Sequence, residues 1–513
     1  MKTIKLFIIG LIFIFSGCTE EYLEPYRANP DQLNIESFWL NPENARGVLV
    51  RAYSTIQNDA LYGRKFFPMY VLMAHDADLD YLSQPFWNEF ATNNVNPSNE
   101  RIESTFEAWY DAISSVNDFI QNYDRIEPTE AINQDQIDDL LGQAYFLRGF
   151  SYFHLANTWS EALPAENSQA LGVPLMLTVV DSEDEFYPSR ATVSEVYKQI
   201  EADFKKSIEL LPMGVRTADT KGMIEYYAAV SYLGKTYLFQ EKYQEAKTEF
   251  EKVINSGEYS LVDSIYKNFD GNHEFNTESI QEWNYSNASN AVGSGAFSGT
   301  FNEFPVLHGP VELGRGIFAN FMVNDETVAR FGDDPRKEAT LLLRGDRVLA
   351  TEGGLYLPVR KWVTTQKFIP VDRWEIKNPG FTSNISIVRL ADIYLLYAET
   401  LSALGQDQLA AEYMNKVRRR AYYAPVDVPN DTVDYTVTGM ALRDSIREER
   451  WRELHYEGHR WYDIRRWKIL EQELAKATTR AGTIVFDPRD YIMPIPSRDV
   501  MINPNMVQSI GYR

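Results

Sequence analysis

The sequence contains a single cysteine, Cys18, among 513 residues. One cysteine cannot form an intramolecular disulfide, so packing alone must hold the fold. No segment after the first 17 residues is apolar for the roughly 20 residues that a transmembrane helix needs. The sequence also lacks a Gly-x-Ser-x-Gly elbow, a phosphate-binding loop and a Cys/His nucleophile pair. We therefore predict no catalytic residue and no cofactor.

Basic residues are also in short supply. Against 73 Asp and Glu there are 50 Lys and Arg, which gives a formal net charge of −23. This charge repels nucleic acid and anionic headgroups and favours neutral or cationic ligands. Aromatic residues, in contrast, make up 13% of the chain. Their flat faces suit sugar rings or peptide side chains, although most of them must belong to the core.

The first 18 residues have the order of a lipoprotein signal peptide. Two lysines precede an apolar run over residues 6–15, and two small residues follow it immediately before Cys18. We predict that residues 1–17 are removed and that Cys18 carries a lipid, which would anchor the chain to a membrane without spanning it. The alternative is an ordinary signal peptide that happens to contain a cysteine. Residues 18–40 lack periodicity and are predicted to form a tether.

Helical periodicity dominates up to about residue 260. It is clearest over residues 192–211, where Thr192 and Glu195 also have the spacing of a capping box. Residues 223–255 and 390–417 each have the spacing of a tetratricopeptide-like helical hairpin. Residues 139–158 have the pattern of the first helix of a third hairpin, whose second helix would be 192–211. Gly234 is predicted to lie where two helices approach closely, with Phe250 filling the space beside it. Such hairpins cannot bury their apolar faces alone, so we expect them to stack.

Residues 262–385 break the helical pattern. They are rich in Gly, Asn, Ser, Phe and Pro, and they contain short strand-like pieces such as SIQEWNYS and LYLPVRKWV. A long irregular stretch inside a large domain is usually either functional or disordered. The many aromatic residues argue against full disorder.

Several segments together resemble the SusD/RagB family of outer-membrane nutrient-binding lipoproteins. They include AYFLRGFSYFHLANTWSEALP, ATVSEVYKQIEADFKKSIELLP, SIVRLADIYLLYAETLSALG and, most specifically, IREERWRELHYEGHRWYDIRRW at 446–467. The resemblance implies a mostly α fold, with a tetratricopeptide-like scaffold and a loop-rich ligand-binding region that contains short strands. The predicted division is one domain over 41–513, made of a scaffold (41–261 and 386–475), a binding region (262–385) and a C-terminal segment (476–513).

The same resemblance implies a function. Members of the family bind glycans, or peptides in some cases, and do not catalyse reactions. They are attached through an N-terminal lipid to the outer leaflet of the outer membrane, and they pair with a SusC-like TonB-dependent transporter. We therefore expect a surface lipoprotein that delivers oligosaccharide to such a transporter. A peptide-binding member of the family and, from another class, a secreted hydrolase remain the alternatives.

Two clusters interleave aromatic rings with amides, one over 81–94 and one over 283–301. A sugar needs this mixture of apolar ring faces and hydrogen-bonding groups. The alternative is that the rings belong to loop packing and core. The predicted ligand-binding residues are Tyr81, Trp87, Asn88, Trp283, Tyr285, Asn287, Phe297 and Phe301.

Two motifs have partial metal-site spacing. His455 and His459 are four residues apart, as in helical zinc sites, but Glu457 is one place late for a zinc-protease motif. Asp76, Asp78 and Asp80 resemble the start of a calcium loop that lacks its later ligands, which favours a solvated acidic loop or contacts to ligand hydroxyls. We predict no metal site, and expect residues 446–467 to be structural. The expected ion-pairing residues there are Glu457, Arg460, Asp463, Arg465 and Arg466, and Trp461 and Trp467 are expected to pack into the scaffold.

Overall fold

The computed structural model describes residues 35–79, 85–180, 182–285, 321–349, 355–360, 363–369, 383–477, 479–480 and 484–513. The predicted signal peptide, the lipid site at Cys18 and most of the predicted tether lie outside these residues. Among the helices in these ranges, none combines the length and hydropathy needed to cross a membrane.

Helices make up most of the structure, as predicted. They are α1 (Ile35–Leu40), α2 (Pro42–Gln57), α3 (Phe66–Met73), α4 (Pro85–Ala91), α5 (Glu100–Asn122), α6 (Gln134–Trp159), α7 (Pro164–Asn167), α8 (Val193–Leu210), α9 (Tyr226–Phe239), α10 (Tyr243–Ile254), α11 (Asp325–Phe331), α12 (Arg336–Thr340), α13 (Leu390–Ala403), α14 (Asp407–Ala421), α15 (Gly439–Leu454), α16 (Arg460–Trp467), α17 (Leu470–Leu474) and α18 (Ser497–Ile502).

The three predicted hairpins are present, as the pairs α6/α8, α9/α10 and α13/α14. Each first helix meets its partner closely. A Cβ atom added to Gly234 would lie 2.7 Å from the Phe250 ring, so this glycine permits the approach of α9 and α10. The predicted capping box is also confirmed, because the Thr192 amide donates to the Glu195 carboxylate (2.8 Å) and the Thr192 hydroxyl accepts from the Glu195 amide (3.3 Å).

The start of the folded body differs from the prediction. Residues 35–40 form α1, and Trp39 on this helix is only 3% exposed, with its ring edge against Phe119 (6.5 Å between centroids). A buried tryptophan fixes this segment to the core. Residues 35–40, which the prediction includes in the tether over 18–40, therefore belong to the folded body.

The strands are short and form two-stranded antiparallel ladders. They are β1 (Asp78–Leu79), β2 (Ser279–Trp283), β3 (Phe321–Met322), β4 (Leu341–Leu342), β5 (Arg347–Leu349), β6 (Tyr356–Pro358), β7 (Thr364–Thr365) and β8 (Ile385–Arg389), paired as β1–β3, β2–β8, β4–β7 and β5–β6. The strand-like pieces SIQEWNYS and LYLPVRKWV contain β2 and β6, as predicted. The second part of the helical scaffold, predicted to begin at residue 386, begins at Leu390, because residues 386–389 belong to β8.

A buried ion-pair network ties the irregular region to the scaffold. Glu453 on α15 lies at its centre, beside Arg389 (2.6 Å), Arg336 (3.2 Å) and Arg420. Burial alone would raise the pKa of Glu453, but these three guanidinium groups lower it far below its ordinary value. Glu457 extends the network by pairing with Arg389 (2.8 Å) and with a lysine of the irregular region. The network therefore links parts of the chain more than a hundred residues apart.

Most of the predicted pairing within 446–467 is confirmed. Arg460 pairs with Glu473 (3.0 Å), and Asp463 pairs with Arg450 (3.2 Å) and Arg466 (2.8 Å). Trp461 is buried and Trp467 is half-buried, with its indole N–H donating to Glu399.

The prediction for Arg465 is wrong. This guanidinium makes no ion pair among the described residues, and it donates instead to the carbonyls of Asn157 and Ser160 at the end of α6. A cation at a helix C-terminus satisfies carbonyls that have no partner within the helix, which is why a carboxylate is not required here.

The two histidines of this motif do not share a helical face. Helix α15 ends at Leu454 and α16 begins at Arg460, so His455 and His459 flank a turn in which Gly458 has a φ of 76°. His455 packs beside Asp76, with 3.2 Å from its Nδ1 atom to the carboxylate. Burial lowers the pKa of His459 to about 4. In the described ranges, no three His, Cys, Asp or Glu side chains are grouped to hold a metal ion.

Candidate ligand-binding face

Helix α4 presents one aromatic ring outward and one inward. Phe86 is 39% exposed, whereas Trp87 is only 1% exposed. Consecutive helical residues point about 100° apart, so neighbouring side chains can face solvent and core. The Trp87 ring contacts Phe321 (5.4 Å between centroids) and carries the Arg101 guanidinium over its face (5.0 Å). The prediction that Trp87 stacks on a ligand is therefore wrong for this structure, in which Trp87 supports the face from within.

The described aromatic rings of the second cluster, over 283–301, are also buried. Trp283 is fully buried, and its ring lies edge-on to Tyr53 (6.0 Å) and Phe150 (5.5 Å). Tyr285 is also buried. Strand β2 is covered on both faces, so the alternation of side chains along it leaves no solvent face. Trp283 and Tyr285 are core residues, and the prediction that they contact ligand is wrong.

Of the other predicted ligand-binding residues, the structure describes only Asn88. Asn88 lies half-buried on α4, where its carbonyl accepts from the Thr92 hydroxyl (2.7 Å). Its assignment to ligand binding stays a prediction. The other four predicted residues lie outside the described residues: Tyr81, Asn287, Phe297 and Phe301.

The structure pairs two residues that border the candidate segments. Segment 80–84 follows Leu79, and segment 286–320 precedes Phe321; these two flanking residues are direct partners in the β1–β3 ladder. Phe321 in turn packs on Trp87, immediately beside the exposed Phe86. We call the exposed Phe86 side of α4, together with the buried Trp87 and the buried β1–β3 ladder on which α4 packs, the Phe86 face. Two residues about 240 positions apart in sequence, each bordering one candidate segment, thus lie side by side.

Asp78 fixes a third part of the chain to the Phe86 face. Its carboxylate accepts hydrogen bonds from the Thr479 hydroxyl (2.6 Å) and the Arg480 amide (2.9 Å). Asp76, two residues earlier, accepts from the Trp451 indole (3.1 Å). Both carboxylates are buried. The expectation of a solvated acidic loop is therefore wrong for Asp76 and Asp78, whereas Asp80 lies outside the described residues.

The electrostatics behind the face follow from these contacts. Burial by itself would raise the pKa of Asp76, but the neighbouring His455 and two arginines lower it below its ordinary value. Asp76 is thus held as a carboxylate. Burial lowers the pKa of His75, which shares a hydrogen bond with the Asn93 amide (3.0 Å between Nε2 and Oδ1). Hydrogen bonds and an ion pair among these groups hold the base of the face in place.

Sequence reasoning included Phe86 in the first cluster but did not select it. The missed signal is the spacing of Trp87, Phe90 and Ala91 at i, i+3 and i+4, which marks the buried stripe of a helix. All three are buried. Phe86 lies off that stripe, and a helical reading of PFWNEFA would have identified it as the exposed ring.

Comparisons with known proteins agree with the fold. A family model described as "SusD family" matches residues 355–512, and another described as "Starch-binding associating with outer membrane" matches residues 48–238. SusD-like protein P25 of Formosa agariphila is 23% identical and the match covers 99% of each chain. A SusD-like protein of Bacteroides ovatus is 22% identical, over 91% of this chain and 83% of the relative.

Solved structures are similar over nearly the whole chain. A laminarin-binding SusD-like protein is 26% identical, with a TM-score of 0.72 and coverage of 92% of this chain and 100% of that chain. A SusD superfamily protein from Bacteroides vulgatus is 23% identical, with a TM-score of 0.75 and the same coverage.

Proposed function

Because this chain belongs to the SusD/RagB family, we propose that it is a lipid-anchored protein of the outer-membrane surface that binds oligosaccharide and delivers it to a SusC-like TonB-dependent transporter. The observation that carries the proposal is the Phe86 face. There an exposed aromatic ring lies on a helix that packs on the β1–β3 ladder, and the paired ladder residues Leu79 and Phe321 border two sequence segments rich in aromatic and amide residues. This is the combination that a sugar needs, with apolar faces for the ring and amides for the hydroxyls.

The rigid base of the face supports a binding role. Next to Phe86, the Trp87 ring packs on Phe321 of the β1–β3 ladder, and the Phe86 carbonyl accepts a hydrogen bond from the Asn99 side chain (3.0 Å). The backbone that carries the exposed ring is therefore fixed before a sugar stacks on it. The laminarin-binding relative favours a glycan as the ligand. The net charge of −23 fits a neutral sugar better than an anionic one.

The carboxylates near the face support a role without catalysis. A glycosidase places two carboxyl groups on either side of its substrate, at about 5–5.5 or 6.5–9.5 Å from each other. Asp76 and Asp78 are buried and bound to other parts of the chain. Glu89 on α4 accepts from the Asn96 amide (2.9 Å) and the Asn99 side chain (2.7 Å). Each of these three groups thus has a structural role.

Binding is tested with a panel of soluble polysaccharides, beginning with laminarin and starch, by affinity electrophoresis and then calorimetry. We expect at least one glycan to bind, with no release of reducing ends during prolonged incubation. Binding of basic or neutral peptides with no glycan bound would favour the peptide alternative. Release of product would favour the hydrolase.

Membrane attachment and transporter pairing are tested separately. Labelled fatty acid is expected to be incorporated by the wild type and not by Cys18→Ser, and equal labelling would contradict lipidation at this residue. The tagged protein is expected to co-purify with a β-barrel transporter after gentle detergent extraction. If it is recovered alone under conditions that preserve other membrane complexes, a free-standing surface binder is the better account.

A further inference from the structure

An apolar groove that shares no lining residue with the Phe86 face lies between the first half of α5 and the C-terminal segment. Its floor is formed by Phe106 and Tyr110 on α5, and its walls by Phe186, Ile502 and Met506, around a volume of about 290 Å³. We call it the C-terminal groove. Phe186 is 60% exposed, and Ile502 is exposed as well. Large apolar side chains exposed within one concave site favour a surface for a partner.

The groove is built in advance of any partner. The Tyr110 hydroxyl donates to the Pro174 carbonyl (2.9 Å), which fixes the floor. Asn503 donates to the Pro188 carbonyl (2.9 Å) and Asn505 to the Tyr187 carbonyl (2.8 Å), which join the two walls. A groove held by such cross-links loses little conformational entropy on binding.

The rim of the groove is strongly acidic. Four carboxylates, Glu103, Glu107, Asp111 and Asp499, stand against one cation, Arg498. Arg498 is already engaged by Glu103 (3.1 Å) and Glu107 (3.7 Å). Among the described side chains, none forms an ion pair with Asp111 or Asp499. Burial raises the pKa of the Asp499 carboxyl above its ordinary value, and an incoming cation would offset this by stabilising the carboxylate.

We propose that the C-terminal groove is a docking site for a basic, apolar peptide segment of a partner protein. An aromatic or aliphatic side chain fills the slot between Phe186 and Ile502, and a neighbouring Lys or Arg faces Asp111 and Asp499. The charge complementarity commits the groove to a cationic occupant, because an acidic segment would bring like charges together. A neutral sugar would leave the two carboxylates without a counter-charge.

The proposal is tested by selecting a phage-displayed library of random dodecapeptides on the full chain. Counter-selection uses the double variant Asp111→Asn with Asp499→Asn. We expect the selected peptides to carry Lys or Arg next to aromatic or aliphatic residues. A synthetic copy of the most enriched peptide should bind at least tenfold more weakly to the double variant and to Phe186→Ala. It should also bind more weakly in 500 mM than in 50 mM salt, because exposed charges are screened.

The matched control is Asp219→Asn with Asp431→Asn, which removes the same charge from exposed positions outside the groove. This control should bind the peptide like the wild type. An equal loss of affinity in the control and in the groove variants would mean that the effect comes from net charge alone, and it would overturn the proposal. Selected peptides without a cation, or a library that does not distinguish wild type from groove variant, would also overturn it. Displacement of the peptide by laminarin would assign the groove to glycan instead. Phe186→Ala removes an exposed ring, so it tests the groove even if the double variant folds poorly.

Discussion

Replacement of Glu453 by glutamine should destabilise the whole domain. One oxygen of Glu453 lies beside Arg389 and Arg420, and the other lies 3.2 Å from Arg336. A glutamine can offer its single oxygen to one side only, so its amide N–H₂ group must face a guanidinium on the other. Removing one partner of a buried ion pair costs about 3–5 kcal/mol, because the remaining charges are left uncompensated. That is a large part of the roughly 5–15 kcal/mol by which a folded protein is stable.

The measurement is urea unfolding followed by circular dichroism, with thermal unfolding as a second measure. Asp444→Asn on the same helix is the matched control. Asp444 is exposed and lies 3.7 Å from Arg447, a surface pair worth about 0–1 kcal/mol. The reasoning is refuted if the two variants unfold within about 1 kcal/mol of each other at pH 7, since the buried network would then contribute no more than a surface pair.

The pH dependence gives an independent check. The pKa of Glu453 is lower in the folded protein than the ordinary value of about 4.3 in the unfolded chain. Its contribution to stability is therefore fully present above that value and is lost as the pH falls toward the folded pKa. The difference between wild type and Glu453→Gln should shrink below about pH 4. A difference that grows on acidification would mean that the sign of the effect is wrong.

Three further changes test other parts of the account. Gly234→Ala should cost about 1–3 kcal/mol of stability by overpacking against Phe250. Its control is Gly47→Ala, where an added Cβ meets nothing within 4 Å and should stabilise α2 by up to about 1 kcal/mol. Equal thermal midpoints of the two variants would contradict the close approach of α9 and α10. Burial raises the pKa of Asp490 to about 6, so the stability of the folded protein falls as the pH rises from about 4 to 6. Asp490→Asn should therefore raise the free energy of unfolding by about 1–2 kcal/mol at about pH 8, after allowance for solvent screening. Near about pH 3 the substitution should leave the free energy of unfolding unchanged. Trp283→Ala should cost about 3–5 kcal/mol of stability, and an unchanged unfolding midpoint would argue against its place in the core.

Periodicity was enough to predict the scaffold. The spacing of apolar residues located the hairpins, and small residues such as Gly234 marked close contacts, because both signals depend on neighbours within one hairpin. The end of the tether was less accessible. The helical segment 35–40 is short, and what fixes it is the contact of Trp39 with Phe119, about 80 residues away.

The candidate site could be predicted only as a region. Residues that border the two clusters do pair, Leu79 with Phe321. Which ring faces outward, however, depends on tertiary partners that local sequence does not reveal, such as Phe321 behind Trp87 or Phe150 behind Trp283. Arg465 illustrates the same limit, since its partners are carbonyls at the end of a distant helix.

The central claim is that oligosaccharide binds on the Phe86 face. The most direct measurement is calorimetry of the wild type, Phe86→Ala and Phe186→Ala with whichever panel glycan binds, laminarin being the first probe. We expect Phe86→Ala to weaken binding by about 1–3 kcal/mol, as for a central aromatic anchor, with an unchanged unfolding midpoint. Phe186→Ala, which removes a more exposed ring in the C-terminal groove, should bind like the wild type. Equal affinity of Phe86→Ala and wild type would contradict the account.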